Sequence, residues 1–338
     1  MEHYVTLFDA NFLPAGLCLY RSMRERAGAF RLWVLCMDTT VEARLRELDL
    51  PDVRLIPLHE IETEALLAVK PGRTAGEYCW TLTPFVPECV LARDPSATRV
   101  TYIDADLYFF DDPRILFDEF ESSGAHVLIT EHAFAPEYAR SVKAGIYCVQ
   151  FMTFRNTPEA RGAMHWWQDR CVEWCFNRYE DGKIGDQKYL DDWPERFPGI
   201  VHVLRQKERT LAPWNAAHYL DRADAQKPVF FHFHGFRVIS ERKMRWYLGY
   251  RIGSEAKRYY NHYYRDMSNA MALIQGRWNV VPTLGEASTI EDIMAKYYYI
   301  VTGSARYRNY SLNDCVACLG SEDGSNQATD TAQWPANS

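Results

Sequence analysis

Two carboxylates one residue apart, Asp104 and Asp106 in YIDADLYFF, follow an apolar run. An unpaired carboxylate is costly in an apolar setting, so the pair must reach water, meet cations or hold a metal. In an extended segment residues i and i+2 point to the same side, which lets both carboxylates aim at one point. Hard divalent ions such as Mg²⁺ or Mn²⁺ take oxygen ligands and leave positions open for phosphate oxygens, so this pair plus a diphosphate makes a sensible sphere. Asp-x-Asp also arises by chance at strand ends, and that structural reading stands beside the metal one.

Three further stretches carry chemistry. In FFHFHGF, His232 and His234 alternate with phenylalanines, so one strand face is aromatic core and the other offers two imidazoles, either as Mn²⁺ ligands or as surface histidines. In GDQKYLDDWP, Asp186 and Gln187 open a short helix; Asp186 is an N-cap, or both side chains contact sugar hydroxyls. In LAPWNAAHY, Trp214 and Asn215 form an apolar platform with a polar handle for a sugar ring, unless the Trp is structural.

These residues need a scaffold, and the first 110 residues supply a β-α-β-α order. HYVTLF, FRLWVLCMD, Val53–Pro57 and RVTYID read as strands. LPAGLCLYRSMRERAG, VEARLREL and stretches near Glu60–Lys70 and Trp80–Ala92 read as helices. That order predicts an α/β fold with a mostly parallel central sheet and helices on both faces. Ligands of such sheets bind outside the carboxyl ends of the strands. Asp9, Asp38, Asp104 and Asp106 sit there. AHVLIT and GIYCVQFMTF are further strands, the second with an edge-like alternation. A helix is expected from Pro158 to about Tyr179, and short strands at IVHVL and VFFHFHGF. A helix over about Ser254–Gln275 carries Tyr259, Tyr260, Tyr263 and Tyr264 beside Lys257, Arg258 and Arg265. This stripe packs on the body or seats against an anionic membrane surface.

Composition excludes several classes. The formal charge of -7 and the lack of a Lys/Arg run argue against nucleic-acid binding. No apolar run approaches the roughly 18 residues that span a bilayer, and no signal-peptide pattern opens the chain, so a cytoplasmic protein, with contact at most peripheral to the inner face of the membrane, is expected. Nine scattered cysteines fit reduced thiols, and Cys315-x-x-Cys318 stands without a second pair. P-loop, G-x-G-x-x-G and G-x-S-x-G motifs are absent.

Taken in order, VTLFDANFLPAGLCLYRSM, YIDADLYFF, GDQKYL and FHFHG make residues 3 to 240 resemble GT-A-fold nucleotide-sugar glycosyltransferases, especially bacterial relatives of family 8. The resemblance implies that Thr6, Phe8 and Asp9, with Tyr78, hold the uracil and ribose of a UDP-sugar. It implies Asp104 and Asp106 as the metal pair, Asp104 also touching the nucleotide, and His232 or His234 as third ligand to Mn²⁺ or Mg²⁺. Asp186 and Gln187 look like the Asp-Gln pair beside the donor sugar, the Gln facing the anomeric carbon in retaining members. Two departures stand out. Where family members have Asn and Gly, this chain has Cys148 and Gln150, so Gln150 takes up a donor-sugar contact; and a Lys-Pro-Trp element is missing, which leaves Arg237, Lys243 or Arg245 for the diphosphate.

The expected organisation is a GT-A-like domain over 1–250, a helical extension over 251–319 and a disordered tail over 320–338. The expected activity is metal-dependent sugar transfer with retention, from a nucleotide-sugar donor to a glycan, lipid-linked or protein acceptor. The alternative is a non-catalytic nucleotide- or glycan-binding protein on a degenerate transferase scaffold. A pyrophosphorylase or hydrolase would want a glycine-rich basic segment after strand one, and DANFLPAG is neither.

Overall fold

The computed structural model describes residues 1–240, 243–246 and 249–282. Cys315, Cys318, the later part of the expected extension and the expected tail lie outside the described residues. Strands β1 (Glu2–Phe8), β2 (Phe30–Cys36), β3 (Val53–Pro57) and β4 (Arg99–Ile103) are parallel and separated by α1 (Leu13–Arg26), α2 (Thr39–Leu48), α3 (Glu64–Val69), α4 (Ala75–Leu82) and α5 (Val86–Arg93). Their pleat explains the burial on both faces. Tyr4 and Phe8 of β1 pack on the α1 side, whereas Val5 and Leu7 pack with Tyr78 and Leu82 on the other.

Past β4 the chain makes β5 (Leu107–Phe109), α6 (Arg114–Ser123), β6 (Val127–Glu131), β7 (Tyr147–Arg155), α7 (Pro158–Glu173), α8 (Trp193–Arg196) and β8 (Val201–Val203). The central sheet runs β3-β2-β1-β4-β7-β6-β8, with β7 antiparallel to both β4 and β6. The expectation of a mostly parallel sheet flanked by helices holds. β7 is an interior strand rather than an edge. Then follow β9 (Thr210–Leu211), α9 (Ala216–Leu220), β10 (Phe230–His232), the hairpin β11 (Arg237–Ser240) and β12 (Lys243–Arg245), and α10 (Lys257–Trp278). A small second sheet, β5-β10-β9, joins the Asp-x-Asp exit to the histidine strand.

The helices differ from the sequence reading where local chemistry intervenes. The stretch 60–92 is broken into several short helices because Pro71, Pro84 and Pro87 remove backbone donors. α7 stops at Glu173, short of Tyr179: Arg73 donates to the carbonyls of Cys171, Val172 and Cys175 and so satisfies the helix end. α10 seats its tyrosines on the body. Tyr263 stacks on Phe233 with centroids 3.9 Å apart, and Tyr259 and Tyr260 lie against Phe231, so three of the four tyrosines of the stripe are buried and leave the membrane reading without its apolar face. Tyr108 of β5 donates to Asp266 Oδ2 at 2.6 Å, and Arg21 of α1 pairs with the other oxygen at 3.0 Å, tying α10 to both elements. Among the described residues no helix is long and apolar enough to cross a membrane, and the seven described cysteines are free.

Candidate metal and donor site

The two aspartates are brought together by a turn, not by the pleat. β4 ends at Ile103, and Leu107 N–H donates to Asp104 O at 3.1 Å, so residues 104–106 reverse the chain from the central sheet into β5. The apolar run ends here because its partner strand supplies the last bond, Asp104 N–H to Gln150 O at 3.1 Å. Tyr102 donates its hydroxyl to Asp104 Oδ1 at 2.9 Å, and Phe233 N–H donates to Asp106 O at 2.9 Å. Every backbone and side-chain tie thus aims the carboxylates toward the end of β10.

His232 meets them there. Its Nε2 lies 3.0 Å from Asp106 Oδ1 and 3.6 Å from Asp104 Oδ2, and one ligand atom from each of the three residues falls within 4.8 Å of the others. Two carboxylates and an imidazole are a fitting donor set for Mn²⁺ or Mg²⁺. Burial pushes Asp104 up, with Asp106 adding to it, to about 6. Burial acts the same way on Asp106, yet the His232 charge and hydrogen bond outweigh it and hold Asp106 at about 2. Burial works against a charged His232, but the two carboxylates, Asp106 foremost, raise it well above its ordinary value. Like carboxylates this close need a cation, and a protonated imidazole or a metal can each supply it.

His234 does not join the group. The chain leaves β10 after His232 and turns through Gly235 at φ +72°, so the row of alternating side chains ends and the His234 ring is exposed, 5.5 Å from the His232 ring. The two-imidazole face is therefore one ligand and one neighbour.

Asp186 lies close enough to Asp104 for the two charges to act on each other. It stands at the N-cap position of a 3-10 turn over Gln187–Leu190 but makes no side-chain cap bond there. Gly185 at φ +57° and Trp167, whose Nε1 donates to Asp186 O at 3.0 Å, fix its backbone. The side chain is buried, Oδ2 has no partner, and burial followed by the charge of Asp104 raises its pKa to about 7. Gln187 donates Nε2 to Ala144 O at 3.1 Å and is half-buried.

Other expected contacts are used elsewhere. Asp9 Oδ1 accepts from Asn11 N–H and Phe12 N–H, both at 3.0 Å, and so shapes the entry to α1. Phe8 is turned into the core, its ring so close to Gly16 that a Cβ there would lie 2.5 Å from it. Thr6 is buried on the same side with Oγ1 unpartnered, and Tyr78 donates to Glu62 at 2.9 Å. The sugar platform is replaced by a structural hub. Trp214 is buried edge-on to His232 and donates to His132 O at 2.7 Å, while Asn215 uses its whole amide on Ala212 N, His132 O and Thr210 O. Gln150 faces His232, not an open sugar site: Oε1 lies 2.8 Å from His232 Nδ1. Arg237 and Arg245 are register partners on the hairpin that leaves the site, and Arg237 is close enough for its charge to act on Asp106. Tyr102 belongs to the site through its hydroxyl on Asp104 Oδ1, and no motif of the sequence marks it.

No family model matches the chain. It is 32% identical over 266 residues to the uncharacterized protein YfnD of Bacillus subtilis (strain 168), covering 75% of this chain and 84% of that protein. Identity to the uncharacterized protein YfnF of the same organism is 30% over 252 residues, 70% of this chain and 82% of that one. Among solved structures it is similar to mouse xyloside xylosyltransferase 1, with a TM-score of 0.46, 15% identity and coverage of 69% of this chain and 98% of that. The galactosyltransferase LgtC, solved with donor and acceptor sugar analogs, gives a TM-score of 0.47 at 14% identity over 78% of this chain and 95% of that.

Proposed function

The chain belongs to the family of the Bacillus subtilis proteins YfnD and YfnF, and we propose that it is a metal-dependent glycosyltransferase. The donor is a nucleotide-diphosphate sugar, a UDP-sugar by the sequence resemblance, the acceptor a hydroxyl of a glycan, lipid-linked or protein substrate, and the outcome retention. One observation carries the reading: Asp104, Asp106 and His232 converge within 4.8 Å at the carboxyl end of β4, where open sheets of this kind take ligands.

Asp104, Asp106 and His232 would hold Mn²⁺ or Mg²⁺. When bound, such an ion neutralises a diphosphate and makes it a better leaving group. The protein's own residues supply the rest. Tyr102 keeps Asp104 turned toward His232 by taking its second oxygen. Arg237, whose charge reaches Asp106, would add positive charge beside a diphosphate. Asp186, half protonated near neutral pH, can donate to or accept from a sugar hydroxyl through its unpartnered oxygen, with Gln187 beside it. The bond from the anomeric carbon to the diphosphate breaks with its electron pair on the diphosphate. The acceptor oxygen then attacks from the same face, and its proton leaves with the departing phosphate.

The test is the melting temperature of the purified chain with UDP, GDP, CMP or ADP, each with Mn²⁺ and with EDTA, followed by turnover of the matching nucleotide sugar. Stabilisation by one nucleotide only with Mn²⁺, and release of that nucleotide on turnover, supports the reading. A shift without turnover would favour a binding protein, and no shift with any nucleotide would sink both.

A further inference from the structure

We propose that Gln150 is the residue that positions the metal-binding histidine, holding the His232 Nδ1–H so that Nε2 faces Asp104 and Asp106. The inference deepens the metal-site reading and rests on it.

The geometry is specific. Gln150 lies on β7, the interior antiparallel strand, and is fully buried. Its side-chain oxygen sits 2.8 Å from His232 Nδ1, and its main-chain oxygen accepts Asp104 N–H at 3.1 Å. One residue therefore touches both halves of the ligand set, the Asp-x-Asp turn through backbone and the imidazole through side chain. An imidazole that ligates through one nitrogen carries its proton on the other, and a fixed acceptor for that proton sets the tautomer and the ring plane. Trp214, edge-on to His232 at 5.5 Å between centroids, and the Cys148 thiol, which also bonds His232, flank the same ring. In the opposite tautomer, Nε2–H would point at the carboxylates and close that nitrogen to a cation.

This arrangement also accounts for the residue type. The interior of the sheet is apolar around Gln150, with Phe151 and Val149 buried beside it, and a buried amide is costly without a partner. Its Nε2 has no acceptor among the described residues, so the amide is kept for what its oxygen does.

The experiment measures Mn²⁺ binding by the loss of the free-ion paramagnetic signal, on the full chain and on Gln150→Met and Gln150→Glu. Melting temperature with EDTA and the long-range ¹H–¹⁵N spectrum of His232 with Zn²⁺ as diamagnetic probe accompany it. Gln150→Met keeps the length and removes the acceptor. It should weaken Mn²⁺ by roughly 10- to 100-fold and lose the single Nδ1–H tautomer, whereas Gln150→Glu, which still accepts the proton, should bind Mn²⁺ at least as well as the parent. If Gln150→Met does not fold, Gln150→Asn, whose amide stops one methylene short, carries the same comparison. Equal Mn²⁺ affinity in parent and Gln150→Met, or a loss in Gln150→Glu as large as in Gln150→Met, overturns the positioning role while leaving the site intact. Absence of Mn²⁺ binding by the parent overturns the metal site itself.

Discussion

Nε2 of His232 and Oδ1 of Asp106 lie 3.0 Å apart although they arrive on different strands, one at the end of β10 and one at the turn into β5. A cation held by either is shared with the other. Asp106→Ala should therefore abolish metal-dependent stabilisation by nucleotide. For the parent that gain is about 2.7 kcal/mol at 100 times Kd, and for the variant it should fall to near zero in the same thermal-shift series with Mn²⁺ and EDTA.

Asp186 gives a pH signature. Its folded-state pKa, about 7, is raised above the ordinary 3.8 by burial and by Asp104, so the native state holds the proton more tightly than the unfolded chain. That contribution to stability is complete below about pH 4 and is lost as pH rises through about 7. Asp186→Asn should leave the urea midpoint nearly unchanged at pH 4 and raise it at pH 8, while turnover falls. An equal shift at both values would contradict the assignment.

Asn215 is predicted to be structural. Its amide makes three bonds to backbone groups in the interior, and removing a buried partner costs about 1–3 kcal/mol for each group left unsatisfied. Asn215→Ala should lower stability by at least that amount in urea unfolding, while nucleotide with Mn²⁺ still raises its lowered melting temperature by about as much as it raises the parent's.

The tyrosine stripe of α10 supports the histidine strand. Tyr263 is fully buried against Phe233, and truncating a large buried aromatic costs about 3–5 kcal/mol. Tyr263→Ala should lose stability on that scale. It should also weaken Mn²⁺, since Phe233 both stacks on Tyr263 and ties its N–H to Asp106 O; unchanged Mn²⁺ affinity would deny the link.

Much of this was legible in the chain because strands that are apolar throughout and end in Asp mark a parallel sheet and its ligand edge at once. Asp104, Asp106 and His232 could be named from residue type. His234 could not be separated from His232, since the end of β10 at His232 depends on how that strand pairs with β5. Asn215 looked like a handle because its partners, Ala212, Thr210 and His132, are backbone atoms that no side-chain pattern reveals. The pattern of α7 carries the expected helix past Glu173 because the guanidinium that stops it, Arg73, lies far away in sequence. In each case a non-local contact decided the outcome, and periodicity carries no information about such contacts.

The run 222–227 is exposed throughout and lies between the elements that carry Asp104 and Asp106 and the strand that carries His232. A protease nick there would leave two ligands on one piece and the third on the other. An ion at the site would then bridge the two pieces, a reversible, chelator-sensitive tie added to the pairing of β10 with β5 and the seating of α10 on the body.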